Sequence, residues 1–274
     1  MTTPGSYPSL DEILKSIGDA GLRMVELNAC EGAAGNISVY LGWPVEVEPV
    51  FPKEERLVLP IHVPKLADRV LLVTGSGCRL RYLHHDSLAA LAAVVINPDG
   101  ETARLFTAPQ KLFTHITSEF NSHLAVHLDQ VNHTNTNFQA LIHAQPPYLT
   151  FLSHIPRYRD EATLNRRLLR WQPETIINLP DGIGVLPFMM PGSQELMQAS
   201  LESLRTHCIV LWSKHGVLAR SDRSVAHAAD LIEYAEAAAR YEFMNLQSGE
   251  MADGLSVEDI QRICRSLNLQ QTFY

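Results

Sequence analysis

The spacing of apolar positions changes several times along the chain, and each change marks an element. Leu10, Ile13, Leu14, Ile17, Met24 and Leu27 recur at helical spacing, which predicts an amphipathic helix to about Asn28. Ser9-Leu10-Asp11-Glu12 at its start is a capping box. Gly32-Ala33-Ala34-Gly35 breaks the pattern. Ile37, Val39 and Leu41 then alternate with polar or half-polar residues, the period of a strand. Between Trp43 and Arg69 stand Pro44, Pro49, Pro52, Pro60 and Pro64. Proline cannot donate to a sheet ladder, so an extended excursion with short edge strands at best is expected there.

Val70-Leu71-Leu72-Val73 is a continuous apolar run, a buried strand entering the tight loop Thr74-Gly75-Ser76-Gly77. Val94-Val95-Ile96 and Ala103-Arg104-Leu105-Phe106 flank Asn97-Pro98-Asp99-Gly100, a hairpin signature. Thr117-Ser118-Glu119 opens a helix through Leu124, Val126 and Val131. A strand over 139–144 follows, then a helix begun by Pro146 and Pro147. The charged stretch 157–170 is expected to be helical in its second half, and 175–179 to be a strand. Ser193 begins a helix to about Arg205. Strands over 208–212 and 217–219 flank Lys214-His215-Gly216. Residues 224–246 form a long alanine-rich helix, and Ser256 starts a final one. Hairpins mixed with helices predict an α/β chain of three layers, α/β/α, with a central mainly antiparallel sheet. No Gly/Ser-rich linker divides the 274 residues, so one domain over 1–274 is expected, with the Pro-rich excursion at about 43–69.

Composition narrows the partners. The chain is 46% hydrophobic and 19% charged, with a net charge of −8 spread along its length. No basic stripe with interleaved aromatics appears, which points away from nucleic acid. No apolar run reaches membrane-spanning length. Met1 to Pro8 is short and uncharged, without the order of a signal peptide. Cys30, Cys78, Cys208 and Cys264 are scattered and form no Cys-x-x-Cys pair, the pattern of reduced thiols in a cytosolic core.

Several residues carry candidate chemistry. His143 and Gln145 lie two apart at the end of a strand, so they project to one face, where a following helix makes a usual ligand position. A lone His on an apolar strand is also an ordinary core residue. His215 sits at a break between two apolar strands, either in a cleft or simply in a turn. Glu119 in a first helical turn can cap it, or stand as a proton-transfer carboxylate beside N–H groups that bind phosphate. Gly35-Asn36 and Gly75-Ser76-Gly77 are small-residue turns able to cradle an anion, though such turns are common. His123 and His127 have an i, i+4 spacing that zinc sites also use, but no Glu follows His123, so an interior or subunit-facing surface is expected. Glu174 is either a second acid or a solvated loop residue.

Together these segments resemble the class II aldolase and adducin superfamily, from the first helix almost to the C-terminus. The matching pieces are Gly35-Asn36-Ile37-Ser38, Thr74-Gly75-Ser76-Gly77, Thr117-Ser118-Glu119, Ile142-His143-Ala144-Gln145, Pro180-Asp181-Gly182-Ile183-Gly184 with Pro187, and Trp212-Ser213-Lys214-His215-Gly216-Val217. The last three in order are specific; the glycine turns are not. The insertion after Trp43 is similar to that of the rhamnulose-1-phosphate aldolase branch rather than the shorter fuculose-phosphate aldolases and pentulose-phosphate epimerases.

The resemblance implies a metal-dependent retro-aldol cleavage of a ketose 1-phosphate, L-rhamnulose 1-phosphate first, giving dihydroxyacetone phosphate and L-lactaldehyde. It implies Zn2+ on His143 and His215, with Glu119 binding the metal at rest and then shuttling a proton, and Glu174 as a second carboxylate near the aldehyde end. It implies a phosphate pocket from Gly35, Asn36, Ser76, Gly77, Thr117 and Ser118, and a cytoplasmic homotetramer. Two departures bear on this. Gln145 stands where the family pattern has a second histidine. Either it ligates through oxygen, or another group such as His154 completes the site, or the metal is held loosely; a harder oxygen donor also favours Mn2+ or Co2+. Ala33 and Ala34 replace a more polar turn before Gly35, which puts the substrate in question. The alternatives are a fuculose-phosphate aldolase or pentulose-phosphate epimerase on the same scaffold, and an adducin-like binding domain that has lost the metal.

Overall fold

The computed structural model describes residues 7–249 and 251–274; most of the N-terminal segment that bears on a signal peptide lies outside them. The first helix, α1 (Leu10–Glu26), begins with the expected capping box: Ser9 accepts from the Glu12 N–H, and the Glu12 carboxylate accepts from the Ser9 N–H. Its Ile13, Leu14, Ile17 and Met24 are buried. Then come β1 (Asn36–Leu41), β2 (Lys53–Val58), β3 (Val70–Thr74), two single-turn helices α2 (Leu80–Leu83) and α3 (Ser87–Ala90), and the hairpin β4 (Leu91–Ile96) and β5 (Thr102–Thr107). The middle of the chain forms α4 (Phe120–Thr134), β6 (Phe138–Ala144), α5 (Pro147–Leu152), α6 (Glu161–Leu168) and α7 (Pro173–Asn178). The last part forms β7 (Gly184–Leu186), α8 (Gln194–Leu204), β8 (Ile209–Trp212), β9 (Gly216–Ser221), α9 (Val225–Ser248) and α10 (Val257–Leu267).

Among the described residues the nine strands form one sheet, in the order β2-β5-β4-β3-β1-β6-β9-β8-β7. Every pairing is antiparallel except β7 with β8. The expected mainly antiparallel sheet between helices is present. The Pro-rich excursion contributes β2, an edge strand whose Lys53, Glu54, Glu55 and Arg56 are exposed. Charges on an edge discourage pairing with other chains.

One expectation fails. Residues 175–179 are not a strand, because Thr175 to Asn178 belong to α7. The β-branched Thr175-Ile176-Ile177 run favours a strand locally. Pro173 in the first turn and Glu174 beside it are helix-start signals that outweigh it. The strand of this region is instead β7, three residues long and ended by Pro187.

The central strands are buried on both faces, and alternation sorts their residues between two cores. On β6, Ala140, Ile142 and Ala144 join the larger core with α1 and α9, while Leu141 joins Val126 of α4, Leu196 and Leu204 of α8, Val210, Trp212 and Leu218 on the other side. Gln139 and His143 share the face of Leu141. His143 therefore lies at the end of a strand, on the side covered by α4 and α8.

Antiparallel pairing makes strand ends meet strand beginnings. Asn36, the first residue of β1, is paired with His143 near the end of β6, and Gly216, the first of β9, faces Trp212, the last of β8. The end of β3 arrives at the same edge, where Gly75 bridges Ile116 and Thr117 N–H donates to the Thr74 carbonyl. That bridge ties the glycine loop to the segment leading into α4.

Helix α1 supplies a test of packing against propensity. An alanine at Gly21 gains about 1 kcal/mol in helix propensity. Its Cβ would lie 2.7 Å from the Leu80 carbonyl oxygen, a backbone atom that cannot step aside. Overpacking costs about 1–3 kcal/mol. Gly21→Ala is expected to lower the stability measured by urea denaturation, whereas a gain would show that α2 yields.

Candidate metal centre

The ends of five strands and one helix start meet around Glu119. It precedes α4, yet its side chain makes no capping hydrogen bond. The carboxylate turns inward, 5% exposed, and accepts a 2.7 Å hydrogen bond from Asn36 Nδ2. His143 Nε2 lies 3.7 Å from one of its oxygens and His215 Nε2 3.6 Å from the other. These separations exceed a hydrogen bond. The three ligand atoms all fall within 4.8 Å of one another.

This spacing fits a cation. Two ligand atoms each about 2.1 Å from one tetrahedral ion stand roughly 3.4 Å apart. His143 is prepared for such a role, because its Nδ1 lies 2.8 Å from the Val217 carbonyl oxygen, which can only accept. Nδ1 therefore carries the proton, and Nε2 turns its lone pair toward Glu119. His215 is kept neutral by burial and by the neighbouring His143, its pKa pushed down to about 4 although Glu119 pulls upward. Asn36 Oδ1 and His215 Nδ1 are buried without a hydrogen-bond partner, so polar capacity remains at the site.

Local chain geometry sets these positions. Gly35 has φ +85°, and a Cβ there would lie 2.9 Å from Leu80 Cδ1 and 3.0 Å from the His143 carbonyl oxygen. Only glycine lets the chain turn into β1 against the end of β6. His215 sits in a three-residue turn from β8 to β9 in which Lys214 adopts φ +65°. A lysine in the left-handed region is strained. Ser153 Oγ, at the end of α5, accepts the Lys214 N–H at 2.7 Å and holds the turn. Trp212, its Nε1 bound to Ser200 Oγ, walls the site, its ring centroid 4.8 Å from that of His143 and 5.2 Å from that of His215.

The other predicted residues divide into groups. Ser76, Gly77 and Ser118 are exposed at the rim, and Thr117 is buried, its Oγ1 accepting the Glu119 N–H. Asn36, expected in a phosphate pocket, spends its amide N–H on Glu119. Gln145 is half-buried at the end of β6. Glu174 is exposed in the first turn of α7 and outside the triad. His154 is also exposed and outside it.

His123 and His127 are interior. With Ser38 they form a chain that the sequence alone did not reveal. Ser38 Oγ is 2.7 Å from both His123 Nδ1 and His127 Nε2, and His127 Nδ1 is 2.7 Å from Gln139 Oε1. An amide oxygen only accepts, so His127 carries its proton on Nδ1 and accepts from the Ser38 hydroxyl. Ser38 in turn accepts from His123 Nδ1, leaving His123 Nε2 a buried lone pair without a partner. One serine in an apolar strand gives no sequence sign of this; the period-2 placement of Asn36 and Ser38 opposite His143 and Leu141 is the only hint.

Comparison with known proteins bears on these residues. The family model of the class II aldolase and adducin N-terminal domain matches residues 15–243. The chain belongs to this family. It is an aldolase, an enzyme of the lyase class. A rhamnulose-1-phosphate aldolase of Klebsiella pneumoniae is 27% identical over 262 residues, 94% of this chain and 92% of the relative. One from Escherichia fergusonii is 30% identical over 201 residues, covering 72% and 71%. Among solved structures, a sugar-phosphate aldolase from Thermotoga maritima superposes with a TM-score of 0.75 at 27% identity, over 89% of this chain and 98% of that one. An L-fuculose 1-phosphate aldolase at 18% identity shares the fold, with a TM-score of 0.57 over 96% of this chain and 98% of that one.

The buried histidines of this aldolase make its stability depend on pH. Burial holds His123 well below the ordinary histidine pKa of 6.5 and pushes His127 down to about 3. Both are neutral when folded, while the unfolded chain takes up protons below about pH 6.5. Stability from the pair is full above that pH and falls below it: His127 contributes a loss of about 1.4 kcal/mol per pH unit down to about pH 3, and His123 a loss in the same direction. Urea midpoints measured from pH 7 to 5 are expected to fall steeply; a flat profile would show that the pair titrates normally. Ser38→Ala leaves two buried nitrogens unpaired at about 1–3 kcal/mol each, a loss the same titration measures at pH 7.

Proposed function

We propose that this aldolase cleaves L-rhamnulose 1-phosphate to dihydroxyacetone phosphate and L-lactaldehyde, using a divalent cation held by Glu119, His143 and His215. The observation that carries the reading is the triad itself: a buried carboxylate facing one buried and one half-buried imidazole, with their Nε2 atoms turned toward it. The curated relatives, named rhamnulose-1-phosphate aldolases, support the choice of substrate. Zinc suits two imidazoles and a carboxylate.

When bound, the cation supplies Lewis-acid stabilisation for the negative charge that C–C cleavage leaves on the ketose oxygens. The chain's own groups do the rest. Glu119, oriented by Asn36, takes the proton of the hydroxyl that becomes the aldehyde and returns it to the carbon left electron-rich as the aldehyde departs. Trp212 keeps water from that side of the site. Ser76, Gly77, Thr117 and Ser118, with Gly35 and Asn36, form the phosphate end, where hydroxyls and N–H groups beside the start of α4 replace a basic cluster. Glu174, exposed on α7, is the second carboxylate near the aldehyde end in this reading.

A homotetramer is part of the same reading. Phe188 and Met190, 56% and 68% exposed, stand on a loop tied to α4 through the Asn121 amide and the Gly192 carbonyl, and give a contact surface close to the site. The reading also places the protein in the cytoplasm; all four cysteines are free. Among the described residues, no helix is long and apolar enough to cross a membrane.

Chelation is expected to abolish cleavage of L-rhamnulose 1-phosphate and added divalent metal to restore it. Glu119→Gln is expected to lower kcat by about 100- to 10,000-fold, the range of general acid–base catalysis, while metal content measured by mass spectrometry stays largely intact. Cleavage that is indifferent to chelation, or a fully active Glu119→Gln, would contradict the reading; faster turnover of L-fuculose 1-phosphate would reassign the substrate.

A further inference from the structure

The triad supplies three donors, and at rest a four-coordinate cation on it would take one more; when Glu119 turns to proton transfer, its place would be left for substrate. Gln145 is placed for it. It follows His143 by two residues, and its backbone is pinned, because its N–H donates to the Ala29 carbonyl at 2.7 Å. The helix that follows, α5, is pinned as well: both oxygens of Glu236 on α9 accept its first N–H groups, from Tyr148 and Leu149. A point one bond out from the Gly216 Cα, where a Cβ would stand, is 3.1 Å from Gln145 Cγ and equally 3.1 Å from His143 Cε1, the ring atom bonded to Nε2. Glycine at 216 leaves this space clear, and the Gln145 carboxamide begins one bond beyond Cγ. That carboxamide makes no hydrogen bond to any described residue, although the residue is half-buried. His154, the other histidine close in sequence, is exposed and outside the triad.

We propose that the Gln145 carboxamide oxygen is the fourth protein donor, completing a site of two imidazole nitrogens, one carboxylate oxygen and one amide oxygen. The inference rests on the metal reading of the triad given above. Its consequence concerns which cation is held. A neutral oxygen is a weaker donor to zinc than a third imidazole, and it suits manganese and other oxygen-preferring cations. The site therefore discriminates less between Zn2+ and Mn2+ than a three-histidine site does.

The test is metal binding rather than turnover. Dissociation constants for Zn2+, by competition with a chromogenic chelator, and for Mn2+, by its electron spin resonance signal, are measured on wild type, Gln145→Ala, Gln145→Asn and Gln145→His, with circular dichroism confirming the fold of each. Gln145→Ala and Gln145→Asn are expected to weaken both metals about 10-fold or more, the second because its amide falls one methylene short. Gln145→His is expected to tighten Zn2+ at least 10-fold and leave Mn2+ unimproved. Affinities in Gln145→Ala within twofold of wild type would overturn the proposal. If metal binding follows residue 145 while L-rhamnulose 1-phosphate is not cleaved, the ligand assignment stands and the functional reading falls. If His143→Ala weakens binding and Gln145→Ala does not, the proposal falls and the triad stands.

Discussion

A carboxylate buried inside a protein is costly unless opposite charge or hydrogen bonds compensate it. Glu119 is buried with no lysine or arginine against it among the described residues; it has one amide N–H and two imidazoles. His215 does not supply the missing charge by protonation, since burial and the neighbouring His143 push its pKa down to about 4. A divalent cation would resolve the conflict, because it would neutralise the carboxylate and use the two nitrogen lone pairs at once. The rest of the site follows from that constraint. The lone pairs must face inward, the strand ends must meet there, and the covering side chains must be free of competing charge.

The sheet meets these demands through its register. Pairing Asn36 with His143 brings the orienting amide and a candidate ligand together, and the turn between β8 and β9 delivers His215 at the same edge. Gly35 and Gly216 are the places where the chain comes too close for a side chain. Behind the ligands, Ser38, His123, His127 and Gln139 continue the polar row under α4. This row fixes the helix against the sheet through hydrogen bonds whose direction is set at one end by an amide oxygen. The helix that carries Glu119 is thus located by buried polar contacts as well as by packing, which suits a residue that must hold its place to within a fraction of an ångström.

Much of this was legible in the chain. The capping box at Ser9, the hairpin around Asn97-Pro98-Asp99-Gly100 and the buried run at 70–73 have local causes, and local causes can be read locally. The 175–179 stretch was misread because its β-branched residues and its preceding proline point opposite ways, and the contest is decided by the helix start. β7 escaped because three residues carry no period. At the site, residue types at strand ends made His143 and His215 readable as candidates. Whether Glu119 caps its helix or turns inward could not be read, since the choice depends on β1, 83 residues earlier in the chain. The Ser38 chain is invisible for the same reason: its members come from three elements, and each looks ordinary alone.

The central claim is that Glu119, His143 and His215 together hold one cation. Anomalous diffraction at the metal absorption edge, on crystals of the metal-loaded protein, tests it most directly. A single peak about 2.0–2.2 Å from a Glu119 carboxylate oxygen and from Nε2 of both histidines is expected. Loaded protein with no peak among these three side chains, or with its peak elsewhere, would contradict the account.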